Sequence, residues 1–415
     1  MRVLLFTFFI EAVISLFTGP AVDRELLICF FLVINVFILM FEIKEKSEGN
    51  KILFSILIGG LYLRLIALLY DQGISFLPFN TADAHKFHEL AVNTANALPD
   101  EMLEFFNGFY TQFLGVVYYI FGPYRYLGQF INICFVMLAA TKLVDIANLM
   151  KLSMKNKCLM IGIWCFAPIP FLMGFALVRE ASMYYFIVLS IYHFLKWFER
   201  YSIVDVCISI LAVYLASLYH EWVIVIAVPY LYTYLFYDRK KHRIKINLIN
   251  VASIVLAFII GFTYISQNSE KLMDRTNVET GGGSSYLTNL KVETPIEFIL
   301  FGPIKAVYLI YSPMPWLIRD GLDIVTFVFD SCLWVYVSWM FIKNFREMET
   351  KYKMLILCIL IGGYVFGMGT LNTGTAIRHR NKFMSLMLVA FMSVKNQIDL
   401  KKEGKCEEKH LLLER

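Results

Sequence analysis

The sequence predicts an all-α fold: a polytopic transmembrane helical bundle of about twelve spans, with two long outer segments that carry interfacial helices. Three observations lead there. Of 415 residues, 59% are hydrophobic and only 17% are charged, a balance foreign to soluble domains of this size. Apolar stretches of roughly 17 to 25 residues recur along the whole length, which is what a helix needs to cross a bilayer core. The connecting segments alternate between rich and poor in Lys and Arg, as the positive-inside rule requires.

The spans fall, in order, at 3–18, 25–42, 52–70, 126–148, 157–175, 181–198, 203–219, 222–237, 247–265, 322–342, 352–369 and 381–397. The first run, Val3 to Phe17, has the length of a signal-peptide core. A second span follows at once and no convincing small-residue cleavage site intervenes, so it is kept as a helix. The inner loops carry Lys44, Lys46 and Lys51; Lys151, Lys155 and Lys157; then Lys196 and Arg200. Further inner cations are Arg239, Lys240, Lys241, Arg243 and Lys245, then Lys343, Arg346, Lys351 and Lys353. The tail, about 398–415, adds Lys401, Lys402, Lys405 and Lys409. The expected location is the plasma (inner) membrane, multi-pass, with both termini cytoplasmic.

Two outer segments are long, about 71–125 and 266–321. Each holds a second apolar stretch, Phe105–Phe121 and Ile296–Tyr311. If either crossed the bilayer alone, every later loop would change sides and the charge pattern would fail. They are therefore expected to lie along the outer interface, where Phe105, Phe106, Phe109, Tyr110, Tyr118 and Tyr119 are at home. Gly281–Ser285 reads as a flexible loop. No internal repeat appears, and residues 1–415 form one integral membrane domain. The net charge of +5 resides mostly in inner loops and speaks of topology, not of nucleic-acid binding. The eight Cys are scattered without a CxxC pair and read as small apolar residues.

A few ionisable groups land on the outer side against the charge rule. Asp83 lies between a loop and an amphipathic stretch that includes His85 and His88. It reads either as a helix N-cap or as a general base that takes a proton from an acceptor hydroxyl, and one residue can be both. A metal set of Asp83, His85 and His88 is a weaker reading. On a helix the two His lie within about 60° of each other while Asp83 points away. Arg179 and Glu180 follow Pro168 and Pro170 at the outer mouth of a span. They read as an interfacial ion pair, or as a phosphate contact beside a second acid. His220 and Glu221 form a short outer turn that is either a polar hairpin tip or a substrate contact. Arg319 is a further outer cation. Last come Arg378, His379, Arg380 and Lys382, preceded by glycines and hydroxyls. They read as lipid-phosphate snorkels or as a site for a lipid-linked diphosphate.

Three stretches carry a resemblance to a known family. They are Asp83–Ala91 with the following Tyr118–Pro123 and Gln129–Asn132, then Pro168–Glu180, then Thr375–Arg380. Together they resemble the GT-C superfamily of integral-membrane glycosyltransferases and the bacterial O-antigen or capsule repeat-unit polymerases that share its features. The resemblance covers about residues 52–200 and 365–397. It implies a polyprenyl-phosphate sugar donor, an extracytoplasmic site, and catalytic acids that match Asp83 and Glu180. Two spans precede the family-like first helix. The second acid follows an Arg instead of forming a double-acid pair, so no metal set is assigned and a divalent cation stays open.

The resulting expectation is a transferase that moves sugar or oligosaccharide from an undecaprenyl phosphate or diphosphate to a saccharide hydroxyl. Polymerisation of repeat units is preferred, since the chain is compact and membrane-embedded. Of the catalytic pair Asp83 and Glu180, Asp83 deprotonates the acceptor and Glu180 orients a cation, a sugar hydroxyl or Arg179. Arg179, Arg378, His379, Arg380 and Lys382 bind the donor phosphate. His85, His88, His220, Glu221 and Arg319 are candidate substrate contacts, and Tyr110, Tyr286 and Trp316 candidate sugar-stacking rings. Expected partners are the polyprenyl-linked saccharide, membrane lipids and other polysaccharide assembly proteins, with no nucleic acid. The rivals are a lipid-linked oligosaccharide flippase and a non-catalytic partner of a synthesis complex.

Overall fold

The computed structural model describes residues 2–18, 22–98, 108–245, 247–267 and 285–413. Phe105, Phe106 and residues 281–284 of the expected glycine loop lie outside the described residues. The described chain is largely α-helical, and its two-stranded sheet is a short hairpin, Tyr237–Asp238 against Arg243–Ile244. Five helices among the described residues are long and apolar enough to cross a membrane: Arg24–Lys46, Lys51–Gly73, Arg125–Leu149, Gly321–Asn344 and Thr350–Met368. Shorter apolar helices accompany them at Val3–Phe17, Phe109–Phe121, Ile203–Tyr219 and Glu221–Phe236. Several long apolar helices mark a multi-pass membrane protein. The chain divides into two compact units. The first is Met1–His193 with Leu211–Glu221, the second Phe194–Ile210 with Trp222–Arg415.

The first unit is built from α1 (Arg2–Phe17), α2 (Arg24–Lys46), α3 (Lys51–Gly73), α4 (Ala82–Ala97), α5 (Phe109–Phe121), α6 (Arg125–Leu149), α7 (Met154–Phe166), α8 (Pro168–Met173) and the start of α9 (Glu180–Arg200). Helix α6 is its axis, with 83% of its apolar window buried. Helix α2 runs parallel to α6. Ile28 and Phe31 pack with Leu127 and Ile131 near one end, and Lys46 meets Asp145 at 2.6 Å at the other. Helix α3 runs the opposite way, its Gln72 Nε2 donating to Gln129 Oε1 at 2.5 Å. Helix α9 again runs with α6, Tyr185 against Phe135 and Tyr192 beneath the Lys142 ammonium. Residues 71–125 therefore leave and rejoin the bundle at the same end. Between those ends, α4 and α5 pack closely on one another, with Gly115 against Thr94 and the Ala91 carbonyl.

The stretch expected as one span at 157–175 is interrupted. Pro168 and Pro170 lack backbone donors, so α7 stops at Phe166 and α8 restarts as a short helix. The carbonyls freed by the break find a donor in Arg64 of α3. Its guanidinium is fully buried and donates to Cys165 O at 3.1 Å, Pro170 O at 3.4 Å and Gly60 O at 3.0 Å. It also lies over the Phe171 ring at 5.3 Å. An ionised side chain inside an apolar helix needs such partners. Gly60 permits the approach, since a Cβ there would come within 2.8 Å of Cys165 Sγ.

The second unit holds most of the remaining helices. Helix α10 (Ile203–Tyr219) joins the two units in sequence. There follow a 3₁₀ turn at Glu221–Ile226, α11 (Ala227–Phe236), α12 (Leu248–Gln267), α13 (Pro295–Tyr311) and α14 (Gly321–Thr326). A wide π turn, Phe327–Ser331, connects α14 to α15 (Cys332–Asn344) inside what the sequence presents as one span. The chain ends in α16 (Thr350–Met368), α17 (Thr373–Asn381) and α18 (Met384–Leu413), which continues through the expected tail.

Helix α13 opens on a capping box, Thr294 with Glu297, and packs along α16. The seam is Gly363-x-x-x-Gly367, the small-residue spacing that lets two helix backbones touch. A Cβ on Gly367 would lie 2.8 Å from Ala306 N and 2.9 Å from Lys305 O, and one on Gly363 2.8 Å from Ile310 Cδ1. Tyr364 lies across Gly302 and donates its hydroxyl to Phe298 O at 3.1 Å. Gly367→Ala should lower stability by about 1–3 kcal/mol, because the backbone it meets has no slack. Gly369→Ala, whose Cβ would enter open space, should leave the melting temperature unchanged. Thermal melts of the two variants in one detergent check this.

Candidate functional site

In the first unit the site grows from the loop after α3. Asp71, near the end of α3, accepts from Leu77 N at 2.8 Å, from Gln129 Nε2 at 3.1 Å and from the Asn80 amide. Asn80 is fully buried, and its backbone carbonyl accepts from Arg125, whose guanidinium covers the Phe76 ring at 4.4 Å. Its side-chain oxygen accepts from Leu177 N at 2.9 Å. Leu177 belongs to an irregular segment, 174–179, that connects α8 to α9. Residues 174–178 of it are buried, and irregular backbone at such depth must be satisfied by its neighbours. Asn132 of α6 supplies more, donating to Ala176 O at 2.6 Å and Val178 O at 2.9 Å.

This arrangement brings the two candidate acids' segments together. Asn80 lies three residues before Asp83, and Leu177 three before Glu180. Asp83 is exposed in the first turn of α4. It is not the N-cap: the helix starts one residue earlier, Thr81 holds the cap position, and Asp83 sits where a carboxylate favours the positive helix end. Glu180 is fully buried as the first residue of α9, with Arg179 half-buried before it. The Tyr110 hydroxyl is in electrostatic reach of Glu180 and 3.4 Å from Asn132 Nδ2. The buried ring of Tyr219 packs on Phe109, Tyr110 and Phe186, which sets the half-buried His220 and exposed Glu221 beside the same cluster. His85 and His88 diverge. His85 Nδ1 faces Thr81 O at 2.9 Å with its ring against Phe76, and His88 Nδ1 lies 2.9 Å from the Tyr118 hydroxyl. Among the described residues no three His, Cys, Asp or Glu side chains gather as metal ligands.

In the second unit, α17 carries the cationic turn, capped by Asn372 Oδ1 on Thr375 N at 2.7 Å. Its cations are not equivalent. Arg380 is buried and donates through one nitrogen to Ile310 O at 3.3 Å, to Ser331 Oγ at 3.1 Å and to Ser312 O. Burial holds its pKa down to about 10, against support from Asp330. That nitrogen clamps the end of α13. Lys382 is buried, its ammonium on His379 Nδ1 and 4.6 Å from the Phe366 ring centroid. Arg378 and His379 are half-buried. Arg319 is held by Asp323, at 3.1 Å from Nη2 and 3.2 Å from Nε. Of the candidate stacking rings, Tyr110 and Tyr286 are buried, whereas Trp316 is exposed. The sequence reading passed over Lys305 on α13, which is fully buried and has no hydrogen-bond partner for its ammonium among the described residues. A lone cation inside the apolar run Ile296–Tyr311 was the available signal.

Comparison with known protein families, curated proteins and solved structures finds no match to this chain. The likeness to membrane glycosyltransferases therefore stands on its motifs alone.

Asn80→Ala should cost about 1–3 kcal/mol for each buried partner it strands, and the Leu177 amide should lose protection in hydrogen exchange. An unchanged Leu177 exchange rate contradicts the bridging role. His88 supplies a pH signature. Burial lowers its pKa below the usual 6.5, helped by the charges of Arg125 and His85 and opposed by Glu89. The unfolded chain thus binds this proton more readily. Stability should be flat at high pH and fall as pH drops through about 6.5, levelling once the folded imidazole protonates. Melts between about pH 8 and pH 5 should show a shallower slope for His88→Gln than for the parent.

Proposed function

We propose that the protein is a membrane glycosyltransferase that moves sugar or oligosaccharide from a polyprenyl phosphate or diphosphate to a saccharide hydroxyl. Polymerisation of polysaccharide repeat units is its preferred form. The reading puts about twelve crossings in the plasma membrane, residues 71–125 and 266–321 outside, and both termini in the cytoplasm. The observation that carries it is the Asn80–Leu177 hydrogen bond, which joins the acid-bearing segments of Asp83 and Arg179–Glu180 at one end of a helical bundle.

Exposed Asp83 takes the proton of the acceptor hydroxyl as that oxygen forms the new glycosidic bond. The bond from the sugar to the donor phosphate breaks, and its electrons leave with the lipid phosphate. Arg378 and His379 stabilise the charge that grows there, with Lys382 against His379. Buried Glu180 orients Arg179 or a sugar hydroxyl. Arg380 serves by holding the α13 end. Other polysaccharide assembly proteins are the partners this role implies.

One observation favours a second reading, a lipid-linked oligosaccharide flippase. Transporters place ionised groups and unwound backbone inside the bundle, and α7 breaks around the buried Arg64. The two readings separate in reconstituted vesicles supplied with lipid-linked repeat units. The transferase yields longer glycans, and Asp83→Asn and Arg378→Ala should each lose about 100-fold or more in rate. Full-rate elongation by both variants would overturn the assigned roles, and translocation of unelongated lipid would favour the flippase.

A further inference from the structure

A cavity of about 870 Å³ opens in the first unit. That is the size of natural ligand pockets, about 300–1,000 Å³. It lies between α1, α2, α6 and α9, and its character changes along its length. Val3, Ile34, Phe37, Ile38, Phe41 and Leu138 make an apolar wall. Because α2 and α6 run parallel, both bring charged residues to the other end, near their C-termini. Glu42, Glu45 and Lys46 come from α2, Lys142 and Asp145 from α6, with the hydroxyls of Thr141 and Tyr185 beside them. Val3, Phe37 and Phe41 are also exposed on the outer surface, so the apolar part opens sideways, toward lipid.

The polar end is built. Asp145 is held between two ammonium groups, Lys46 on one oxygen at 2.6 Å and Lys142 on the other at 2.7 Å. Lys142 also lies 4.7 Å from the Tyr192 ring centroid. Two lysines therefore share one carboxylate and keep donors for a further anion. Glu42 and Glu45 stand on the same lining and offer acceptors. Among the described residues the lining carries two ammonium and three carboxylate groups, so it offers partners to both signs of charge. It suits a head with a phosphate and an amine side by side.

We propose that this cavity is a binding site for a phospholipid with a primary-amine head, of the phosphatidylethanolamine type, drawn from the leaflet beside the lysine-rich loops. One acyl chain lies along Phe37, Ile38 and Phe41. The phosphate meets Lys46 and Lys142, and the ammonium donates to Glu42 or Glu45. A trimethylammonium head has no N–H to donate and fits less well. Nothing in this assignment depends on the transferase reading.

The test uses the full-length protein, stripped in detergent and offered equal phosphatidylethanolamine, phosphatidylcholine and phosphatidylglycerol. Retained lipid is counted by native mass spectrometry. The amine lipid should be retained over each of the others by about threefold or more, the scale of one or two partly exposed charge contacts. Glu45→Gln should erase the preference over phosphatidylcholine, Lys142→Gln should weaken retention of all three, and Ile38→Trp should fill the apolar end and abolish retention. Equal retention of all three lipids, a preference for phosphatidylglycerol, or retention unchanged in Ile38→Trp and Glu45→Gln would each overturn the proposal. Glu45 is exposed, so its variant keeps the test decisive if Lys142→Gln misfolds.

Discussion

An interrupted helix inside a membrane bundle exposes backbone donors and acceptors that water cannot reach, and the first unit is organised around satisfying them. Pro168 and Pro170 end α7 early and leave a buried, irregular connection before α9. Arg64 covers the freed carbonyls on one side of the break, while Asn80 and Asn132 cover the N–H and C=O groups on the other. Each unmet group would cost about 1–3 kcal/mol, so these three side chains hold a conformation that the local sequence does not favour. The position of Glu180 at the start of α9 is set by that frame.

The second unit solves a related problem by other means. Helices α13 and α16 meet backbone to backbone along Gly363 and Gly367, and Arg380 ties the end of α13 by its carbonyls and the Ser331 hydroxyl. Among the turn's cations, Arg380 holds the end of α13, and Lys382 lies against His379 and Phe366. Arg378 and His379 sit nearer the surface. The cluster of positive charge in the sequence thus includes one structural clamp, Arg380.

How far the sequence could be read follows from the range of the interactions involved. Hydropathy is a local property, and the runs near 25–42, 52–70, 126–148, 322–342 and 352–369 coincide with the five long apolar helices. The break at Pro168 was masked by apolar residues on both sides of it. The π turn at Phe327–Ser331 leaves no mark in hydropathy at all. Asp83 and Glu180 stood out because charge is conspicuous at a membrane surface. Asn80 did not, because its role arises from a partner 97 residues away. Arg64 was hidden by the apolar run that surrounds it.

Arg64 also has a consequence for synthesis. Its carbonyl partners at Cys165 and Pro170 lie 101 and 106 residues downstream. When α3 leaves the ribosome, those groups have yet to be translated, and a solitary guanidinium in hydrocarbon is costly. That cost stays with α3 until α7 and α8 supply the carbonyls that relieve it.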